Sequence, residues 1–79
     1  MAEWELDAKG LLCPLPVLKA RKAMKQLEGG ERLRVQATDP GSVQDMDSFC
    51  KSQGHKLMET GEHDGVFNFL IEKGHAPHL

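Results

Sequence analysis

Residues 4–27 read WELDAKGLLCPLPVLKARKAMKQL, and a change of hydrophobic period inside this stretch decides the fold. Trp4, Leu6 and Ala8 alternate with Glu5 and Asp7, the two-residue repeat of a strand with one buried face. Past the turn at Lys9-Gly10 the repeat lengthens. Val17, Ala20, Ala23, Met24 and Leu27 fall in one arc at about 100° per residue, which predicts a helix over residues 14–27. Gly29 and Gly30 stop it.

The same two periods recur downstream. Leu33, Val35 and Ala37 alternate with Arg32, Arg34 and Gln36 as a second strand, and Thr38-Asp39-Pro40 then offers the cap and first-turn proline of a helix over residues 41–53. On that helix Val43, Met46, Phe49 and Cys50 share the apolar arc, with Gln44, Asp47, Ser48 and Lys51 opposite and Gly54 as the stop. Residues 55–61 and 66–73 flank the turn signal His63-Asp64-Gly65 and read as a β-hairpin. The order is β-α-β-α-β-β. It predicts an α/β (α+β) two-layer sandwich, a mixed four-stranded sheet with both helices on one face. Without repeats or linkers, residues 1–79 form a single domain, with 75–79 expected as a flexible tail.

Composition narrows the function classes. With 39% hydrophobic and 28% charged residues the chain is an ordinary globule, and a domain of this size buries only about 60% of its unfolded surface, so no deep enclosed pocket is expected. A net charge of −2 gives no general attraction to polyphosphate, and no direct nucleic-acid partner is expected. The charge is uneven nonetheless: residues 1–38 hold seven basic and five acidic side chains, residues 39–79 three and seven. The N-terminal Met-Ala-Glu-Trp-Glu-Leu-Asp lacks the basic and apolar regions of an export signal, and the apolar run Leu11–Leu18 is broken by Pro14 and Pro16. A cytoplasmic location with no membrane partner is the expectation.

Two cysteines carry the chemical question. Cys50 sits mid-helix in the apolar arc and is expected to be a buried, inert thiol. Cys13 follows the Gly10 turn and precedes Pro14-Leu15-Pro16-Val17, where it is the predicted N-cap of a proline-stiffened helix. The prolines leave the Leu15 N–H as the nearest donor to a sulfur anion there. Together with the helix dipole this predicts a thiol about half a unit to one and a half units more acidic than the ordinary ~8.5. The other reading is a plain helix start in which any small residue serves at position 13.

A nucleophilic thiolate without a neighbouring cysteine suits one task. It can take the outer sulfur from a donor's persulfide and hold it until a partner's thiolate attacks in turn. The segment Gly10-Leu11-Leu12-Cys13-Pro14-Leu15-Pro16, with Arg21-Lys22, Asp39-Pro40 and Phe49-Cys50, resembles the TusA/SirA sulfur-carrier family, over residues 6–73. The resemblance implies a two-layer sandwich in which Cys13 accepts sulfane sulfur from a cysteine desulfurase or rhodanese-like protein, with Gly10, Pro14 and Pro16 shaping its loop. It further implies delivery to a relay protein serving transfer-RNA thiolation, molybdenum-cofactor sulfur supply or sulfur oxidation, by a sulfurtransferase-type carrier. Several members carry an acidic residue or methionine where Leu15 stands, so the sulfur anion is expected to face no carboxylate here.

Surface features supply docking candidates. Lys19, Arg21, Lys22 and Lys25 lie off the first helix's buried arc with Leu15 and Leu18 among them. Arg21 is assigned to partner binding, and Asp39 to a helix cap with partner contact as a secondary role. His55, His63, His75 and His78 show no metal-ligand spacing, so neither a metal nor a cofactor is expected, and the chain is expected to act as a monomer. The rival classes are a thiol redox protein, with Cys50 resolving Cys13, and a non-catalytic regulatory or interaction module.

Overall fold

The structure is a computed structural model that describes residues 3–74. Six elements follow in order: β1 (Glu3–Ala8), α1 (Leu15–Met24), β2 (Arg32–Ala37), α2 (Gly41–Gln53), β3 (Lys56–His63) and β4 (Val66–Glu72). The expected sequence of strands and helices is met. The tail expected over 75–79 lies outside the described residues.

The strands form one sheet in the order β1-β2-β4-β3. β1 and β2 run parallel with Ala8 opposite Ala37, while β4 is antiparallel to both of its neighbours. The hairpin turn places Asp64 at φ 52° and Gly65 at φ 79°, the paired left-handed conformations that match the twist of two antiparallel strands. Leu33, Val35 and Ala37 of β2 and Phe69 and Ile71 of β4 turn the same way and pack beneath Ala20 and Met24 of α1 and Met46, Phe49 and Cys50 of α2. The opposite face is mostly polar around a buried Leu70. There Arg34 lies 3.7 Å from Glu3 and 4.0 Å from Glu59, Arg32 lies 3.5 Å from Glu72, and Gln36 donates to Asn68 at 3.1 Å. Exposed pairs of this kind contribute about 0–1 kcal/mol each, so burial beneath the helices holds the layers together.

Three local expectations are corrected. Helix α1 ends at Met24, because Gln26 and Leu27 donate to Ala23 and Met24 in tighter i→i−3 turns that still swing Leu27 into the core. On α2 the buried residue of the first turn is Ser42, whereas Val43 is 39% exposed. The Ser42 hydroxyl can be buried because it donates to the Asp39 carbonyl at 2.6 Å. Trp4 is 42% exposed, since β1 is an edge strand with a neighbour on one side alone.

Candidate functional site

Two loops leave the same end of the sheet, because β1 and β2 are parallel and in register at Ala8 and Ala37. The first loop carries Cys13, and the second leads through Asp39 into α2. Gly10 adopts φ 81°, which a side chain would disfavour, and its N–H donates to the Thr38 hydroxyl at 2.9 Å. Asp39 ties the loops more closely. Its Oδ2 accepts the Cys13 N–H at 2.6 Å while its Oδ1 accepts the Gly41 N–H at 3.3 Å. The expected cap is corrected: Pro40 holds the N-cap position of α2 with no side-chain cap bond, and Asp39, one residue outside it, reaches the first helical amide while also positioning the cysteine backbone.

Cys13 is exposed, and the first helical residue of α1 is Leu15, with Pro14 at the cap. This corrects the expectation that Cys13 itself caps the helix. Pro14 caps through its carbonyl, which accepts the Leu18 N–H at 3.1 Å. The Leu15 N–H, expected to serve the sulfur, donates instead to the Leu12 carbonyl at 2.8 Å. Pro16, at the second helical position, is buried and anchors this end of α1 against the core.

The sulfur does face a carboxylate, contrary to expectation. Cys13 Sγ donates to Oδ2 of Asp45, a residue one turn into α2. The thiol is pushed up from its ordinary value, first by this hydrogen bond, then by loss of water, then by the negative charges of Asp45 and Asp39. The predicted depression is therefore reversed. A helix terminus one residue away, with its nearest amide engaged elsewhere, is outweighed by an anion in contact with the sulfur.

Cys13 stands at the head of an open groove of about 470 Å³ between the helices, walled by Pro14, Val17 and Arg21 on α1's side and by Asp45, Ser48, Phe49 and Ser52 on α2. Arg21 and Phe49 also line a neighbouring depression toward His55 and Lys73. The docking candidates are divided by this geometry. Arg21 faces the groove with Cys13, whereas Lys19 and Lys22 border a different depression beside Leu6. Leu15 and Leu18 are 46% and 50% exposed, and Leu12, not singled out in the sequence, is 71% exposed beside the cysteine.

Asp45 is the residue that sequence reasoning missed. A signal was available: Asp45, Ser48, Phe49 and Ser52 follow the i, i+3, i+4, i+7 spacing of one helix face, and all four line the groove. Cys50 lies as expected, 2% exposed in the core, with its thiol pushed up to about 11 by burial and secondarily by Asp47. Among the described residues no group of three His, Cys, Asp or Glu side chains is arranged to hold a metal ion, and no helix is long and apolar enough to cross a membrane.

The family model described as Sulfurtransferase TusA matches residues 5–73. The chain belongs to the TusA family. It is 55% identical over 69 residues to the sulfur carrier protein TusA of Allochromatium vinosum, covering 87% of this chain and 91% of that one. A putative sulfur carrier protein of Bacillus subtilis, YrkI, is 46% identical over 69 residues, covering 87% and 92%. The crystal structure of a SirA-like protein from Desulfitobacterium hafniense superposes with a TM-score of 0.80 at 32% identity, covering 92% of this chain and 99% of that one. The TusA-family match takes in both loops of the site and all six elements from Glu5 onward.

Proposed function

We propose that this TusA-family sulfur carrier holds its cargo as a persulfide on Cys13. The observation that carries the reading is the difference between the two cysteines: Cys13 is exposed at the head of an open groove, and Cys50 is enclosed in the core. In loading, Sγ of Cys13 gives up its proton and attacks the outer sulfur of a donor's persulfide. The donor's S–S bond breaks, and the electron pair leaves with the donor's cysteine sulfur. In delivery, an acceptor thiolate attacks the same outer sulfur and Cys13 leaves.

The donor in this reading is a cysteine desulfurase or a rhodanese-like protein, and the acceptor a relay protein of transfer-RNA thiolation, molybdenum-cofactor sulfur supply or sulfur oxidation. The carrier works as a cytoplasmic monomer without metal or cofactor. Leu15 and Leu18 are exposed near the thiol, and Arg21 borders its groove, which supports docking of protein partners there. Gly10, Pro14 and Pro16 shape the loop, while Lys19 and Lys22, which border the depression beside Leu6, stand apart from this contact. A buried Cys50 also favours this reading over redox catalysis, which needs a resolving thiol within reach.

The test is mass spectrometry of the protein after incubation with a cysteine desulfurase and cysteine. The expected result is the gain of one sulfur atom on Cys13, lost in Cys13→Ser and kept in Cys50→Ser. Sulfur retained by Cys13→Ser overturns the assignment.

A further inference from the structure

We propose that Asp45 sets the charge state of the carrier: its carboxylate holds the empty Cys13 as a neutral thiol turned toward α2, and turns the anionic terminal sulfur of the loaded carrier out into the groove beside Arg21. The second half rests on the persulfide reading given above; the first half stands on the empty protein alone.

The geometry around Sγ carries the argument. Three elements present charged groups to this position. From α2 comes Asp45, which accepts the sulfur's hydrogen bond; from the loop before α2 comes Asp39, 2.6 Å from the cysteine's own N–H; from α1 comes Arg21, on the wall of the same groove. Two negative groups therefore lie on the α2 side of the sulfur and one positive group lies across the opening. A neutral thiol satisfies Asp45 by donating to it. A thiolate has no proton to donate and is repelled by the same oxygen, in line with the upward push on this thiol.

Loading changes the chemistry at the tip. A persulfide S–SH is a stronger acid than the thiol it replaces, because its negative charge rests on a sulfur bonded to another sulfur. Near neutrality the outer sulfur is anionic, so Asp45 has nothing to accept and the nearest favourable charge on the groove wall is Arg21. The loading step balances as Cys13–SH plus donor–S–S⁻ giving Cys13–S–S⁻ plus donor–SH. The Cys13 proton passes by way of the Asp45 carboxylate to the departing donor sulfur. The empty carrier is thereby protected from oxidants and alkylating agents, while the loaded carrier presents its cargo outward.

The experiment follows the alkylation rate of empty Cys13 by iodoacetamide as a function of pH, in a Cys50→Ser background. Asp45→Asn is expected to react about threefold faster or more at neutral pH, a downward shift of the midpoint by about half a unit or more, and Asp45→Glu to keep the parent profile. Asp39→Asn, which removes the weaker of the two negative charges acting on the sulfur, is expected to shift the midpoint in the same direction by less. A merely structural role for Asp45 would lower the melting temperature without moving the midpoint. An Asp45→Asn profile that superposes on the parent, or moves to higher pH, overturns the proposal. Because iodoacetamide needs no sulfur donor, that failure is separate from failure of the persulfide reading, which the mass of Cys13 after loading decides.

Discussion

Asp39 grips the backbone of Cys13, accepting its N–H at 2.6 Å across 26 residues of sequence. The same carboxylate receives the Gly41 N–H at the start of α2, so one side chain sets the spacing of the two loops around the thiol. Asp39→Ala is expected to lower stability by about 1.5–3 kcal/mol, the scale of a hydrogen bond to a charged group. Thermal unfolding checks it, with a fall of several degrees expected for a domain of this size. Persulfide loading of Cys13 should slow in the same variant, because the loop bearing the sulfur is released. An unchanged melting temperature would show that the bridge contributes nothing.

The two thiols should be distinguishable by a simple count. Cys50 is 2% exposed and its thiol is pushed up to about 11 by burial, so it is neutral and shielded throughout the physiological range. A thiol-reactive chromophore at neutral pH is expected to titrate one group in the folded protein and two in guanidinium chloride. Equal rates for both in the native protein would contradict the burial of Cys50.

His55 makes a pH-dependent contribution to stability. Its Nδ1 accepts the Gly74 N–H at 3.1 Å, its ring lies 5.4 Å from that of Phe49, and burial, followed by the positive charge of Lys73, lowers its pKa below the ordinary 6.5. The folded state thus favours neutral His55, and the unfolded chain binds the proton more readily. That contribution is complete above about 6.5 and is lost as pH falls toward the folded-state value. Melting temperatures measured between pH 7.5 and 5 should decline, and the decline should be shallower in His55→Gln. Identical slopes for the two proteins would remove His55 from the account.

The core should be intolerant of truncation. Met46 and Phe69 are fully buried where the helices meet the sheet, and shortening Phe69 to alanine is expected to cost about 3–5 kcal/mol, a large share of the total for so small a domain. Met46→Leu, which conserves volume, should cost under about 1.5 kcal/mol. Urea unfolding measures both. A Phe69→Ala protein as stable as the parent would mean that the two layers are held by something other than this cluster.

Much of this architecture is written in local pattern. The apolar arc of α2 and its bounds at Gly41 and Gln53, the alternation in β2, the left-handed turn at Asp64-Gly65 and the enclosure of Cys50 all follow from residues within a few positions of one another. The exposure of Cys13 between a glycine turn and two prolines belongs with them. Even the local errors are instructive: Val43 and Ser42 exchanged places because a hydroxyl that can donate to the Asp39 carbonyl loses its objection to burial.

The character of the thiol was decided elsewhere. Read along the chain, Cys13 has a helix terminus as its nearest electrostatic neighbour and should be acidic; in the folded protein it touches Asp45, 32 residues away, and is the reverse. The strand order β1-β2-β4-β3, the meeting of Arg21 and Asp45 across one groove, and the separation of Arg21 from Lys19 and Lys22 are likewise products of how the helices settle on the sheet. Periodicity tells each segment which side to bury because burial is a one-dimensional property of the pattern. Which charge comes to rest against which sulfur depends on distances between segments, and Coulomb energy falls off too steeply in solvent for any residue but a contacting one to set the answer.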